Sequence, residues 1–211
     1  MFMRKYFLLM LIALSVLVSA QNQKRNLSVA FWNLENLFDT IDDPNKNDNE
    51  FLPEAKKQWN SERLERKYYN LARVIRSINE GKAPDILGIC EVEHEYLLDS
   101  LVNKFLDDKN YLTLSPEAPD ERGIQTGIIY NSDLLKLLGN TVDTVKLEKN
   151  IHTRVILGAE FLLNNRDTIF VFVNHWPSRR GGESESEPRR IKAAETLRNR
   201  IEKVLSQNSS A

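Results

Sequence analysis

Three apolar segments of this chain each run directly into polar side chains, and this pattern limits the folds available to it. The segments are FWNLEN (residues 31–36), ICEVE (residues 89–93) and VNHWPSRR (residues 173–180). Short apolar runs of this kind predict buried strands. Because ligands in open α/β sheets tend to bind near the carboxyl ends of strands, the pattern predicts a polar site at the ends of these three segments.

Helices alternate with strands in the first half of the predicted fold. Residues 27–32 and 85–90 are predicted strands, separated by an acidic loop and by a helix that begins at about Ser61. A second helix is predicted over residues 97–105, because in both helices apolar residues recur at spacings of three and four. Later predicted strands cover residues 112–114, 127–130, 141–147, 155–163 and 168–173.

The end of the chain is predicted to be helical after a polar loop. Residues 164–167 favour a hairpin turn, residues 181–187 a polar loop, and Pro188 the start of a last helix. Residues 206–211 are predicted to be a disordered tail. Helices that interleave with strands early, followed by a run of strands, predict a mixed α/β (α+β) fold with more than one sheet.

The first 20 residues have the pattern of a secretory signal peptide. Two basic residues precede an apolar run that ends at Val18-Ser19-Ala20, a small-residue cleavage pattern. The run is short for a membrane span, although an uncleaved anchor is the alternative. We expect an exported protein, periplasmic or secreted, with no stable membrane association after cleavage and one domain over residues 21–205.

Composition places further limits on partners and on stabilisation. The formal net charge is −1 over 211 residues, so no overall attraction to nucleic acid or anionic membranes is expected and phosphate recognition must be local. Cys90 is the single cysteine, which excludes an intramolecular disulfide. The sequence leaves the oligomeric state open.

The polar strand ends carry groups suited to phosphate chemistry. Glu91 could hold Mg²⁺, which often uses only one or two protein carboxylates, with Asn33 beside the phosphate. His175 could donate a proton or a hydrogen bond, and Arg179 and Arg180 offer planar donors for phosphate oxygens. Each residue alone also has a structural explanation as a turn, packing or solvated residue.

Two further groups of residues are interpreted as non-functional. Glu93, His94 and Glu95 look like metal ligands, but adjacent loop residues seldom converge on one ion. His152 has no evident partner in the sequence.

The ordered set of motifs resembles the endonuclease/exonuclease/phosphatase family, and its exported bacterial branch in particular. Asn33 in AFWNLENLF matches an Asn that follows the first strand in that family, and Glu91 in DILGICEVEH matches its metal-binding Glu. Arg122 precedes an apolar strand as an Arg/Gly segment does there. His175 in FVFVNHWPSRRGG matches the catalytic His.

The resemblance implies a four-layer sandwich in which two mixed sheets pack face to face between helices. It also implies hydrolysis of a phosphate ester that depends on Mg²⁺ or Mn²⁺, and nucleic acid is one member of that substrate class. By this reading Glu91 is a metal ligand, and Asn33 and His175 are catalytic. Phosphate contacts are then expected from four further residues, Arg122, Asn174, Arg179 and Arg180.

Two motifs that the resemblance leads one to expect are missing. The family continues with Gly-Asp-x-Asn and Ser-Asp-His motifs, and neither occurs in this sequence. We therefore expect only the N-terminal part of the fold, with little or no hydrolytic activity in this chain alone. The alternative is a non-catalytic exported protein that binds phosphate or nucleic acid.

Overall fold

The computed structural model describes residues 26–147, 153–164, 166–179 and 181–208, which form seven strands and three α-helices. The strands are β1 (Val29–Leu37), β2 (Ile86–Val92), β3 (Tyr111–Leu114), β4 (Gln125–Asn131), β5 (Leu135–Asp143), β6 (Ile156–Leu163) and β7 (Asp167–Val173). The helices are α1 (Ser61–Ser77), α2 (Glu95–Phe105) and α3 (Glu183–Gln207), with a short 3₁₀ helix at Asn49–Phe51.

The strands form two sheets, as the sequence predicts. The first sheet has the order β1-β2-β4-β3, in which β1 and β2 are parallel and the other pairs antiparallel. The second has the order β5-β6-β7 and, among the described strands, is antiparallel throughout rather than mixed. A short hairpin connection joins β6 to β7, which favours their antiparallel pairing, whereas the short connection from β4 to β5 crosses from the first sheet to the second.

Three apolar clusters separate four layers. One cluster lies between α1, α2 and the first sheet and includes Leu71, Leu98 and Ile89. The second lies between the two sheets, where Ile86, Ile128 and Tyr130 meet Leu157, Phe161 and Val173. The third joins Ile156 on the second sheet to Ala193 on α3. The predicted α/β sandwich of two packed sheets with helices outside is therefore confirmed.

The two sheets approach closely at Gly88 on β2. A Cβ atom at this position would lie 3.1 Å from Cγ2 of Val173 on β7 and 3.2 Å from Cδ2 of Phe31 on β1. A side chain at residue 88 would therefore separate β7 from β2. The glycine lets the end of β7 lie against β2, three residues before Glu91 at the polar end of β2.

Three predicted boundaries are wrong. Strand β1 continues past Trp32 to Leu37, and β5 begins at Leu135 rather than at residue 141. Helix α3 begins at Glu183, so the segment predicted as a polar loop forms its first turns. Glu183 and Glu185 suit the positive end of the helix dipole, and the Ser186 hydroxyl donates to the Gly182 carbonyl at 2.8 Å.

The ends of the chain bear on two other predictions. Helix α3 extends through Gln207, which is two residues into the predicted tail, and residues 209–211 lie outside the described residues. The predicted signal peptide also lies outside them. Among the residues that the structure describes, no helix has the length and apolar character needed to cross a membrane.

Substitution of Gly88 by Val should destabilise the protein by about 1–3 kcal/mol, because the added atoms overpack the space between the sheets. Gly139→Val is the matched control, since nothing lies within 4 Å of a Cβ atom at that strand position. We expect it to change the free energy of unfolding by less than about 1 kcal/mol. Urea unfolding of both variants checks this, and equal effects would contradict the close approach.

Candidate active site

Strands β1 and β2 both lose their regular pairing at the predicted site. Asn33 pairs with Cys90, but the next pair is Leu37 with Val92, so three residues of β1 lie opposite one residue of β2. On the other side of β2, Cys90 and Val92 pair with consecutive residues of β4. Glu91 is thus an extra residue against β4, and its φ of 64° places it in the left-handed region.

The bulge at Glu91 changes which side chain faces the helices. Leu87 and Ile89 belong to the cluster beneath α1 and α2, and strict alternation would place residue 91 there too. Val92 takes that position instead and is completely buried. The carboxylate of Glu91 is therefore released from the apolar cluster, which it could join only at a large desolvation cost.

Strand β1 has a similar irregularity beside Asn33. Leu34 and Leu37 both belong to the helix-side cluster, and the two residues between them have positive φ angles, 54° at Glu35 and 64° at Asn36. The Oδ1 atom of Asn33 accepts a hydrogen bond from the backbone N–H of Glu35 at 2.7 Å. This bond fixes the carboxamide of Asn33 and leaves its NH₂ group as the remaining donor.

His175 meets Glu91 across the two sheets. Its Nε2 atom lies 3.5 Å from Oε1 of Glu91, and the two side chains are 20% and 15% exposed. Burial lowers the pKa of His175, the positive charge of Arg154 lowers it further, and Glu91 acts in the opposite direction. The imidazole is therefore neutral at pH 7, and its buried Nδ1 has no hydrogen-bond partner in the described part of the chain.

Cationic side chains surround this pair. Lys67 on α1 donates from Nζ to the Glu35 carbonyl at 2.7 Å, and burial lowers its pKa while Glu35 and Glu91 raise it. Arg154 lies 3.3 Å from Asp120 as a buried ion pair, and the pKa of this arginine is lowered chiefly by burial. The local field is suited to an anionic ligand although the whole chain is nearly neutral.

Sequence reasoning missed Lys67, Arg154 and Asp120. The antiparallel register pairs Leu157 with Val173, so the residues just before β6 lie beside those just after β7. The hairpin turn predicted at residues 164–167 already places the residues before β6 beside those after β7, so Arg154 could have been placed near His175 from the sequence. Nothing in the sequence distinguishes Lys67 from the other basic residues of α1.

The predicted phosphate contacts differ in where the structure places them. Arg122 acts electrostatically on His175 and so belongs to the same region. The carboxamide of Asn174 is used locally, because its Nδ2 donates to the Phe172 carbonyl and its Oδ1 accepts from the Trp176 indole. Arg179 is exposed and lines a separate cleft of about 250 Å³ at the start of α3. Arg180 lies outside the described residues.

The residues present fit a hard divalent cation at Glu91. The carboxylate is only partly exposed, and among the described residues it forms no ion pair with a lysine or arginine, only a 3.5 Å contact with the neutral imidazole of His175. Asn36 in the neighbouring irregularity has a buried Oδ1 without a hydrogen-bond partner in the described chain. One carboxylate with amide oxygen, water and phosphate is a common ligand set for Mg²⁺.

Comparison with known proteins decides the family. The model of the endonuclease/exonuclease/phosphatase family matches residues 28–211, which is most of the chain. The chain belongs to this family. The predicted resemblance is therefore confirmed, and no curated protein matches the chain in sequence.

Solved structures of this family share the fold. TDP2 from Caenorhabditis elegans is 17% identical with a TM-score of 0.58, and the match covers 88% of this chain and 44% of that one. A mannosyl-6-phosphatase from Bacteroides thetaiotaomicron is 14% identical with a TM-score of 0.58, covering 85% and 60%. A family member from Bacteroides vulgatus is 16% identical with a TM-score of 0.54, covering 86% and 62%. The chain thus spans less than half of the C. elegans protein.

Proposed function

We propose that Asn33, Glu91 and His175 form the centre of a site for metal-dependent hydrolysis of phosphate esters. The observation that carries this proposal is the bulge at Glu91, which turns a carboxylate out of the apolar cluster and towards His175 at 3.5 Å. A strained backbone at a polar site is typical of functional positions. Membership of the family supports the same reaction class.

Each of the three residues has a distinct role in this proposal. Glu91 holds Mg²⁺, or Mn²⁺ in its place, and the bound ion would neutralise phosphate charge and activate water. Asn33 donates from its NH₂ group to a phosphate oxygen, because the Glu35 N–H already binds its Oδ1. His175 is neutral and donates one ring N–H to a phosphoryl oxygen, where charge accumulates in the transition state.

The surrounding charges support an anionic substrate. Lys67 and Arg154 act on Glu91, while Arg122 and Arg154 act on His175, so an anionic ligand is favoured over a neutral one. We propose a phosphate ester as substrate, and nucleic acid belongs to this class. A phosphatase and TDP2 proteins are among the structures with this fold.

Replacing Glu91 by Ala should abolish metal-dependent turnover. We expect Mg²⁺-dependent hydrolysis of bis(p-nitrophenyl) phosphate by the full chain to fall by about 100-fold or more, because the ligand for the metal is lost. Glu95→Gln is the control, since that carboxylate accepts from the Ser115 N–H and not at the site. Turnover is measured by p-nitrophenolate release at several Mg²⁺ concentrations.

The same assay, together with a calorimetric titration of inorganic phosphate into wild type and Glu91→Ala, distinguishes the alternative function. Binding of inorganic phosphate without turnover, unchanged in Glu91→Ala, would contradict the enzyme proposal and support a non-catalytic phosphate-binding protein. Low activity of this chain alone stays a prediction from the missing Gly-Asp-x-Asn and Ser-Asp-His motifs. The comparison with wild type under identical conditions therefore matters more than the absolute rate.

We further propose that the protein is exported, on the signal-peptide pattern of residues 1–20. Expression of the full chain in a bacterium should yield a periplasmic or secreted product that begins at Gln21. N-terminal peptide mapping by mass spectrometry measures this directly. A product that retains Met1 and stays with the membrane fraction would instead support an uncleaved anchor.

A further inference from the structure

A second group of metal-ligand types lies just beyond the ends of β1 and β2. Asp39 follows β1, Glu93 and His94 follow β2, and one ligand atom from each lies within 4.8 Å of the other two. The sequence interpretation dismissed Glu93 and His94 because neighbours seldom converge. They do converge, and the third member is Asp39 rather than Glu95, whose carboxylate accepts from the Ser115 N–H.

Hydrogen bonds hold the two carboxylates in place without using all their lone pairs. Oε2 of Glu93 accepts from the Asp39 N–H at 2.8 Å, and Oδ1 of Asp39 accepts from the Ile41 N–H at 2.6 Å. The Tyr96 hydroxyl donates to Oδ2 of Asp39. The Tyr96 ring also stacks on the His94 imidazole, with the two ring centroids 5.3 Å apart. Such outer contacts are what orient ligands around bound metals.

The negative charge at this group lacks a cationic partner. Asp39, Asp48 and Glu93 are 9%, 2% and 1% exposed, and no salt bridge to any of them occurs among the described residues. The charges of Asp39, Asp48 and Asp43 all act on Glu93. Oδ1 of Asp48 is buried and, within the described chain, has no hydrogen-bond partner.

Charges buried to this degree are normally paired or bound to metal. Asp48 is not one of the three converging residues, but its charge acts directly on Glu93. Its unpartnered oxygen is therefore an independent indication that a cation or a proton is needed in this region. Three buried carboxylates without a counter-ion would otherwise oppose folding.

We propose that Asp39, Glu93 and His94 bind a divalent transition-metal ion at a second site, separate from Glu91. Ligands of a six-coordinate ion with bonds of about 2.1 Å lie about 3.0 Å apart when adjacent and about 4.2 Å apart when opposite, so the three atoms, which lie within 4.8 Å of one another, would move closer together on binding. Two carboxylates with one imidazole favour Zn²⁺ or Mn²⁺ over Ca²⁺ and Mg²⁺, which prefer oxygen ligands alone.

The bound ion would join the segment after β1 to the start of α2. Both strands that lead into this group also carry the catalytic irregularities, at Asn33 and at Glu91. The ion would therefore stabilise the edge on which the proposed active site lies. This inference does not depend on the proposed hydrolysis, because the ligands of the two sites are different residues.

Titration of the metal-free full chain with Zn²⁺ alone tests the second site. We expect the melting temperature to rise with Zn²⁺ in wild type and in Glu91→Gln. We expect the affinity for Zn²⁺ to fall at least about tenfold in His94→Ala, because one ligand is removed. His94 is only half-buried, so this variant should fold, and circular dichroism verifies that it does.

Nitrogen-15 NMR of the imidazoles identifies the ligand directly. The chain has three histidines, and Zn²⁺ should shift the ring signals of His94 in wild type and in Glu91→Gln. Equal Zn²⁺ affinity in wild type and His94→Ala would overturn the proposal. A shift of the His175 signals alone, or no binding of Zn²⁺ to Glu91→Gln, would overturn it as well. Either result would indicate that a proton, rather than a metal ion, neutralises the acidic group.

Discussion

The extra residue in β2 at Glu91 is the constraint on which the arrangement of the site depends. Glu91 occupies the left-handed region, which costs a residue other than glycine about 1 kcal/mol or more. The cost is offset because Val92 and Leu37, the first pair after the irregularity, are both completely buried beneath the helices. Without the bulge, Glu91 would point into the apolar cluster and Val92 towards the site. Packing of the helix layer and placement of the proposed metal-binding carboxylate are therefore two consequences of one backbone feature.

The second sheet completes the site through its register. Gly88 allows Val173 to approach β2. Two residues later, Nε2 of His175 lies 3.5 Å from Oε1 of Glu91. The antiparallel pairing of β6 with β7 places Arg154 at the same edge, where its charge acts on both His175 and Glu91. His175, Glu91 and Arg154 thus come from different parts of the chain and meet only in the folded protein.

The sequence predicted the parts of the fold that follow from local pattern. Apolar runs in the sequence predicted β2, β6 and β7. The change from apolar to polar residues marked where β2 and β7 end, and so singled out Glu91 and His175 as candidate site residues. The bulge could not be predicted from the sequence, because the alternation of side chains along a regular strand places residue 91 in the core. Arg154 was missed because the predicted hairpin of β6 and β7 was not followed back to the residues that lie beside His175. Asp39 was missed because it meets Glu93 and His94 only through tertiary contact between segments far apart in the chain. The start of α3 was missed because charged and serine residues, which read as a loop, also suit a helix N-terminus.

The most direct test of this account is whether a divalent ion binds between Glu91, Asn33 and His175. Substoichiometric Mn²⁺ added to the isotopically labelled His94→Ala variant, whose second site is weakened, should broaden the imidazole signals of His175 and the carboxamide signals of Asn33 most strongly, because paramagnetic relaxation falls off steeply with distance. The account predicts that this broadening disappears when Glu91→Gln is added to His94→Ala, while the backbone spectrum stays that of the folded protein. Signals of His175 and Asn33 that stay sharp in His94→Ala, or that broaden equally in the double variant, would contradict it.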